Sequence, residues 1–202
     1  KASVDDLMSR ADVALYKAKD AGRGVYAFFE DSMTLQLQRE MNLTRQLQQA
    51  LERGEFLVAY QPQLDLADGR LVGAEALVRW RHPERGVLFP GDFLAVAEKR
   101  GLMRPIGDRV LEEVARQAAA WDAQGLEFGH LAVNLCAAQV NDESFARTVE
   151  GILERTGVDP RRLELEYTET VLMRASDATR AAIRALSARG VSFAIDDFGT
   201  GF

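Results

Sequence analysis

Four oxygen-bearing side chains recur near the carboxyl ends of predicted strands. They are Glu75 in GAEALVRW, Asn134 in LAVNL, Glu166 in LELEYT and Asp196 in VSFAIDD. Alternate side chains of a strand point to opposite faces, and in the last three strands the large apolar residues lie opposite the polar one. These three positions are spaced 32 and 30 residues apart, one in each strand-helix unit. Equivalent positions of neighbouring parallel strands lie close together, so the four side chains are predicted to converge at one end of a sheet.

Three carboxylates and an amide oxygen at one point repel one another unless a cation neutralises them. Ligation by oxygen alone is typical of Mg²⁺ or Mn²⁺. Asp197, which follows Asp196, gives a second ion a nearby ligand. Two such ions can activate a water and stabilise the entering and leaving oxygens of a phosphoryl displacement. Arg79, on the same face as Glu75, can bind a phosphate or the edge of a guanine.

Each of these features also has a simpler interpretation. A single glutamate in a strand is most often solvated or held in an ion pair, and only the joint pattern favours a site. The stretch DDFGTG, with Gly199 and Gly201, is also typical of a tight turn. His82 has no partner at metal-ligand spacing and is interpreted as a loop or core histidine. Cys136 is interpreted as a small buried side chain rather than a nucleophile.

Strand and helix patterns alternate from Glu55 onward. The predicted strands are 55–66, 70–80, 131–135, 163–168 and 191–197, and the predicted helices are about 91–100, 105–124, 142–156 and 176–189. Units of about thirty residues are typical of parallel strands joined by helices. The predicted fold class is therefore α/β, with the polar side chains at the end of the sheet where such folds form their sites.

The first part of the chain has a different sequence pattern. Residues 1–31 contain a predicted helix, in which Ser3 and Asp6 form a capping pair and Gly22 marks the end, followed by a short predicted strand over 24–30. About thirty residues are too few for a stable fold by themselves. They are interpreted as the end of another domain.

Residues 32–54 are predicted to form a connecting helix. Apolar residues recur among many Gln and Arg side chains, and no Gly or Pro interrupts the stretch before Gly54. Two roles stay open for this helix. It is either a spacer with one face packed on a neighbour, or a signalling and dimer-forming helix.

Charge and cysteine content exclude several classes of function. The 202 residues include 31 acidic and 25 basic side chains, for a net charge of -6, which gives no electrostatic footprint for duplex nucleic acid. A single cysteine excludes an internal disulfide and a cysteine-cluster metal site. No apolar run approaches the roughly 18 residues that span a bilayer. A cytoplasmic location is expected, with membrane attachment through a preceding segment left open.

Several motifs, in order and with the expected spacing, give the sequence a family resemblance. EALVRW at 75–80, VNLCAAQV at 133–140, ELEYTET at 164–170 and IDDFGTG at 195–201 together resemble the EAL family of cyclic di-GMP phosphodiesterases. YQPQLDL at 60–66 and the stretch at 82–102 resemble the regions that flank the EAL motif. RADVALYKAKDAGRG at 10–24 is similar to the end of a GGDEF domain, the diguanylate cyclase fold. Its GGDEF loop is absent, so no cyclase activity follows.

The resemblance implies a role for each matching residue. The first metal ion would be bound by Glu75, Asn134, Glu166 and Asp196, and the second with help from Asp197. Glu169 would anchor the loop that begins at DDFGTG. Gln61, Leu77 and Arg79 would contact the dinucleotide. The implied reaction is hydrolysis of one phosphodiester of cyclic di-GMP to linear pGpG, with two Mg²⁺ or Mn²⁺ ions.

The resemblance also sets expectations for the fold and the state of this chain. We expect residues 55–202 to be the N-terminal portion of an EAL domain, a partial TIM-like barrel, because family members continue further and supply a catalytic lysine beyond the position of Phe202. The 202-residue chain is accordingly predicted to be inactive and aggregation-prone unless it dimerises or is completed. Expected partners are cyclic di-GMP, a GGDEF domain in the same chain and a second copy of the chain. The alternative function is a catalytically inert sensor or regulatory interaction domain.

Overall fold

The structure is a computed structural model, and it describes residues 3–20, 22, 24–173 and 175–196. The chain divides into two compact units, Lys1–Gln48 and Gln49–Phe202. Within the described residues, no helix combines the length and the apolar character that crossing a membrane would require.

The first unit is built from helix α1, Val4–Asp20, and most of helix α2, Asp31–Arg53. The predicted capping pair forms at the start of α1: the backbone N–H of Asp6 donates to Ser3 Oγ at 3.1 Å, and the N–H of Ser3 donates to the Asp6 carboxylate at 3.0 Å. These hydrogen bonds hold the pKa of Asp6 below its usual value. Lys17 of α1 lies 3.8 Å from Glu40 of α2.

The segment between these helices differs from the prediction. Residues 25–30 form no strand, and Tyr26 and Phe28 are 83% and 79% exposed. Their rings contact each other edge to face, with centroids 5.5 Å apart. A strand needs a neighbour to accept its backbone hydrogen bonds, and the described residues provide none for this segment.

The second unit contains one sheet with helices. Its strands are β1 Phe56–Leu64, β2 Leu71–His82, β3 Gly86–Leu88, β4 His130–Asn134, β5 Leu163–Thr168 and β6 Ser192–Asp196. In the described residues the order is β1-β2-β4-β5-β6, with β3 paired to β2. The hairpin β1–β2 and the pair β2–β3 are antiparallel, whereas β2, β4, β5 and β6 are parallel. The sheet is open over these residues and has the strand-helix order of a partial TIM-like barrel.

Six α-helices accompany this sheet in the part of the unit that the structure describes. They are α3 Leu94–Lys99, α4 Met103–Ala123, α5 Ala137–Val140, α6 Phe145–Thr156, α7 Glu169–Met173 and α8 Asp177–Ala188. The helices predicted from periodicity are present, and the short elements β3, α5 and α7 are additions because they are too brief to show a period. The helix predicted from 142 begins at Phe145, since Asp142 accepts the backbone N–H of Ser144 at 2.8 Å and forms a turn there.

The core lies on one face of the parallel strands. Leu131 and Val133 of β4 and Leu163 and Leu165 of β5 are buried, as the alternation of apolar residues predicts. Helix α4 packs on β1 and β4 and buries a stripe at helical spacing. Burial of each leucine side chain stabilises the fold by about 1.5–3 kcal/mol. The opposite face of the strands is thereby left for polar side chains.

Candidate functional site

The strand register brings the predicted polar side chains to one face of the sheet. Glu75 pairs with Ala132, which is two residues before Asn134. Asn134 pairs directly with Glu166, and Glu166 pairs with Ala194, two residues before Asp196. Paired residues of parallel strands, and residues two apart in one strand, share a face. The four side chains therefore lie on one face and step toward the carboxyl ends of the strands from β2 to β6.

Glu75 and Asn134 are in direct contact. The Asn134 Nδ2 group donates a hydrogen bond to Glu75 Oε1 at 2.7 Å. The two residues are 59 positions apart in sequence, and parallel pairing of β2 with β4 is what joins them. Asn134 is exposed and Glu75 is half-buried, so both can be reached from solvent.

The carboxylates on this face are electrostatically coupled. The pKa of Glu166 is raised from 4.5 to about 7, first because burial disfavours its charged form and then because Glu75, Asp196 and Glu164 are negatively charged. The neutral form of Glu166 therefore persists to higher pH than that of an ordinary glutamate. A cation at this position would favour the ionised form and relieve the repulsion.

The donor set fits a hard divalent cation, although the carboxylates are not gathered around one point. Among residues 3–196 that the structure describes, no three His, Cys, Asp or Glu side chains lie close enough together to hold one ion as they stand. Asn134 contributes an amide oxygen to the set, and Asp197, the predicted ligand of a second ion, lies outside the described residues. Carboxylate and amide oxygens on one face are the donors that Mg²⁺ and Mn²⁺ prefer.

A cavity of about 400 Å³ opens beside these residues. Asn134, Thr168 and Asp196 line its polar side together with the half-buried Cys136. Burial raises the pKa of the Cys136 thiol, which keeps it in the unreactive neutral form. The remaining wall is mostly apolar and comes from the middle of β2 and from α3 and α4. The part of this wall that α3 and α4 supply was not predicted as part of a site, because its residues follow an ordinary helical period.

The predicted nucleotide contacts lie on the β1–β2 hairpin. Gln61 is exposed and pairs with Glu75 across the antiparallel ladder. Leu77, two residues beyond Glu75, lines the cavity. The Arg79 guanidinium lies over the ring of Phe89 at 4.8 Å and donates to the Val78 carbonyl at 2.8 Å.

Two further predicted residues have clear positions. Glu169 is half-buried and is the first residue of α7, immediately after β5; the loop that it was predicted to anchor lies outside the described residues. His82 is 3% exposed, and its Nδ1 accepts the backbone N–H groups of Glu84 and Arg85 at 3.1 and 3.2 Å. The prediction of a loop or core histidine is confirmed.

The model of the EAL domain family matches residues 44–202. The chain belongs to the EAL-domain family. Its EAL domain thus includes the whole sheet, all the predicted site residues and the cavity.

Relatives of this EAL domain carry cyclic di-GMP names. The chain is 44% identical over 197 residues to the bifunctional diguanylate cyclase/cyclic di-GMP phosphodiesterase MucR of Pseudomonas aeruginosa. The aligned residues cover 98% of this chain and 29% of MucR. It is 38% identical over 198 residues to the cyclic di-GMP phosphodiesterase NbdA of the same organism, covering 98% of the chain and 25% of NbdA. The chain thus spans less than a third of the length of these curated relatives.

Solved structures of EAL domains share the fold. The PaMucR phosphodiesterase in its c-di-GMP complex has a TM-score of 0.74 and 43% identity, over 80% of this chain and 65% of that one. The Xanthomonas citri FimX EAL domain in complex with c-diGMP has a TM-score of 0.72 and 25% identity, over 80% of this chain and 62% of that one. The predicted α/β barrel-like fold is confirmed by these matches.

Proposed function

We propose that this EAL domain binds cyclic di-GMP and hydrolyses one of its phosphodiester bonds to give linear pGpG. The observation that carries the proposal is the coupled polar face, in which Asn134 contacts Glu75 at 2.7 Å and Glu166 is perturbed by Glu75 and Asp196. A site built from carboxylates and an amide is suited to a metal ion and the phosphate that it activates. The names of the relatives, MucR and NbdA, support cyclic di-GMP as the substrate.

In the proposed mechanism, one Mg²⁺ or Mn²⁺ ion would be held by Glu75, Asn134, Glu166 and Asp196, and Asp197 would contribute to a second. When bound, two ions supply a water of lowered pKa and stabilise negative charge on the phosphate. Glu166 would have to lose its proton to serve as a ligand; its raised pKa opposes that loss in the metal-free protein, and the charge of a bound cation would favour it. Asn134 would supply its amide oxygen as a ligand, while its Nδ2 group is the donor to Glu75 in the metal-free structure.

The β1–β2 hairpin is proposed to hold the nucleotide. Arg79 is fixed against Phe89 and its neighbouring carbonyl, so its remaining N–H groups are oriented for a phosphate oxygen or a guanine edge. Gln61 lies next to Glu75 in the ladder and can hydrogen-bond the same ligand. Leu77 supplies an apolar contact at the wall of the cavity. Glu169 is proposed to fix the loop that follows Asp196.

The residues before the EAL domain are proposed to be the end of a GGDEF domain. The similarity to MucR extends over 98% of the chain, beyond the residues of the EAL match, and MucR is named as bifunctional. On this proposal residues 1–31 belong to the GGDEF domain, 32–54 form the connecting helix and 55–202 belong to the EAL domain. The connecting role agrees with the continuous helix α2, Asp31–Arg53.

The test is turnover of cyclic di-GMP by the full-length protein, followed by chromatographic separation of pGpG. Glu75→Gln keeps the size of the side chain but removes a charged ligand, so turnover should fall to background. Glu154→Gln is the matched control, since Glu154 is an exposed residue of α6 and is not part of the polar face; its turnover should stay close to wild type. Full activity of the Glu75→Gln protein would contradict the metal assignment.

The same experiment separates the enzyme from a sensor. A full-length protein that binds cyclic di-GMP in calorimetry but gives no pGpG with Mg²⁺ or Mn²⁺ would be a binding module, the alternative function. Absence of both binding and turnover would contradict the proposed substrate.

A further inference from the structure

Gln139 occupies a position that no part of the proposed site explains. It belongs to α5, just after β4, and is 3% exposed although its side chain is polar. A buried carboxamide is costly unless its donors and acceptor are satisfied. The carboxamide of Gln139 is satisfied on both sides: its Nε2 donates to Asp108 Oδ1 at 2.9 Å, and its Oε1 accepts the backbone N–H of Cys136 at 3.2 Å.

The Cys136 N–H is the first backbone donor after the β4–β5 ladder ends. The preceding amide, that of Leu135, still donates to the Glu166 carbonyl across the ladder at 2.7 Å. At Cys136 the chain leaves the sheet, and the side chain of Gln139 replaces the neighbouring strand as hydrogen-bond acceptor. The chain direction immediately after Asn134 is therefore set by Gln139.

Gly107 of α4 provides the space for this carboxamide. A Cβ atom at Gly107 would lie 2.2 Å from Gln139 Oε1 and 2.4 Å from its Cδ, well inside contact distance. Glycine is unfavourable in a helix interior, so its presence in the second turn of α4 has a steric reason rather than a conformational one. Gly107 and Gln139 form one interlocking pair.

The far end of the same loop is tied to the same helix. Arg104 of α4 pairs with Asp142 and donates to Ser144 Oγ at 2.9 Å. The Nε of Arg104 also lies 3.7 Å from Asp108, the residue that binds Gln139. The loop between β4 and α6 is thus held at both ends by the first two turns of α4.

We propose that Gln139 is a positioning residue, which fixes this loop on Gly107 and Asp108 and thereby aims Asn134 at Glu75. The role in catalysis rests on the proposed function, because it matters there only if Asn134 is a metal ligand. Gly107, Cys136, Gln139 and Asn134 all line the cavity of about 400 Å³, so loosening the loop alters the site directly.

Cys136 makes the proposal measurable without metal or nucleotide. It is the only cysteine of the 202-residue chain, so native-state alkylation by iodoacetamide reports on one position. Gln139→Met keeps the volume but removes both hydrogen bonds, and alkylation should become about tenfold faster because the loop opens more often. Gln117→Met makes the same chemical change in a different cavity, that lined by Tyr60 and Arg109, and should leave the rate unchanged.

Two further variants separate positioning from general loss of stability. Val149→Ala removes a buried methyl pair in α6 and lowers the melting temperature without touching Gln139, so its alkylation rate should stay near wild type. Gly107→Ala should accelerate alkylation, as Gln139→Met does, because its Cβ displaces the carboxamide. When Gly107→Ala is combined with Gln139→Ala, which removes the carboxamide, it should accelerate alkylation little further. Independent, additive effects of Gly107→Ala and Gln139→Ala would contradict the interlock.

The side-chain amide of Asn134 gives the decisive readout. Its ¹H–¹⁵N signals can be assigned by their loss in Asn134→Asp, and they should shift or broaden in Gln139→Met but not in Gln117→Met. Unchanged Asn134 signals, or an unchanged alkylation rate, in Gln139→Met would overturn the proposal. Both readouts are independent of turnover, so failure of the proposed phosphodiesterase activity would appear only as missing pGpG.

Discussion

The charge of Glu166 is predicted to destabilise the metal-free EAL domain at alkaline pH. A carboxyl whose pKa is raised on folding binds its proton more tightly in the folded state. Below pH 4.5 the group is protonated in both states and has no effect. As pH rises from 4.5 to about 7 the unfolded state loses the proton first, so stability falls through this window and stays reduced above it.

The size of the effect follows from the two pKa values. At about 1.4 kcal/mol per pH unit, the interval from 4.5 to about 7 corresponds to at most about 3–4 kcal/mol. Glu166 is only half-buried, and solvent screens its interactions, so about 1–2 kcal/mol is the better expectation. Glu166→Gln removes the charge and keeps the shape. The variant should therefore be about 1–2 kcal/mol more stable than wild type at pH 8, and the difference should vanish near pH 4.5.

The assay is urea unfolding of the 202-residue chain in chelator, between pH 4.5 and 8.5. Glu143→Gln, an exposed glutamate of the β4–α6 loop, is the control and should show no pH-dependent difference. Added Mn²⁺ should reverse the order: at a hundred times its Kd it stabilises wild type by about 2.7 kcal/mol, and Glu166→Gln should gain much less. A Glu166→Gln protein that is less stable than wild type at pH 8, or equally stable at every pH, would refute the electrostatic reasoning.

Three other outcomes follow from single contacts. Asn134→Ala removes the hydrogen bond to Glu75 and a proposed ligand, so pGpG formation should be lost while the circular dichroism spectrum stays native; full turnover would contradict the assignment. Phe89→Ala removes the cation–π contact of Arg79, worth about 0.5–1 kcal/mol, and should weaken cyclic di-GMP binding two- to fivefold in calorimetry, whereas unchanged affinity would separate Phe89 from nucleotide binding. Gly129→Ala places a Cβ 1.8 Å from a β2 carbonyl oxygen at a φ of +72°, so thermal melting should show a loss of about 3 kcal/mol or more, and a native melting temperature would contradict that close approach.

The face of the sheet that carries the candidate site was predictable, because the alternation of side chains between the two faces of a strand depends only on the local sequence. Alternation in LAVNL and LELEYT is enough to place Asn134 and Glu166 on the face opposite the leucines, and the register confirms that they share it. The stagger of the polar residues between neighbouring strands was not predictable, because it depends on the register in which the strands pair. For this reason Glu75 pairs with Ala132 rather than with Asn134.

The residues that sequence reasoning missed make contacts between distant segments. Gln139 binds Asp108 across 31 positions and fits against Gly107, and no local pattern links these residues. A glycine inside an otherwise regular helix was the one available signal, because it costs stability unless something fills its place. The strand predicted at 24–30 also depended on a contact that the local sequence does not show. Apolar residues do not form a strand without a neighbouring strand to pair with.

The strands that bear the polar residues end at different heights. Strand β4 stops at Asn134 itself, whereas β2 continues from Glu75 to His82 and pairs there with β3. Over the described residues, β2 therefore extends further beyond the polar face than β4 does. On the proposed function, the two halves of a symmetric cyclic dinucleotide would therefore meet two unlike sides of the site. One half would then lie against the β2 side, which carries Arg79, and only one phosphate would face the carboxylates.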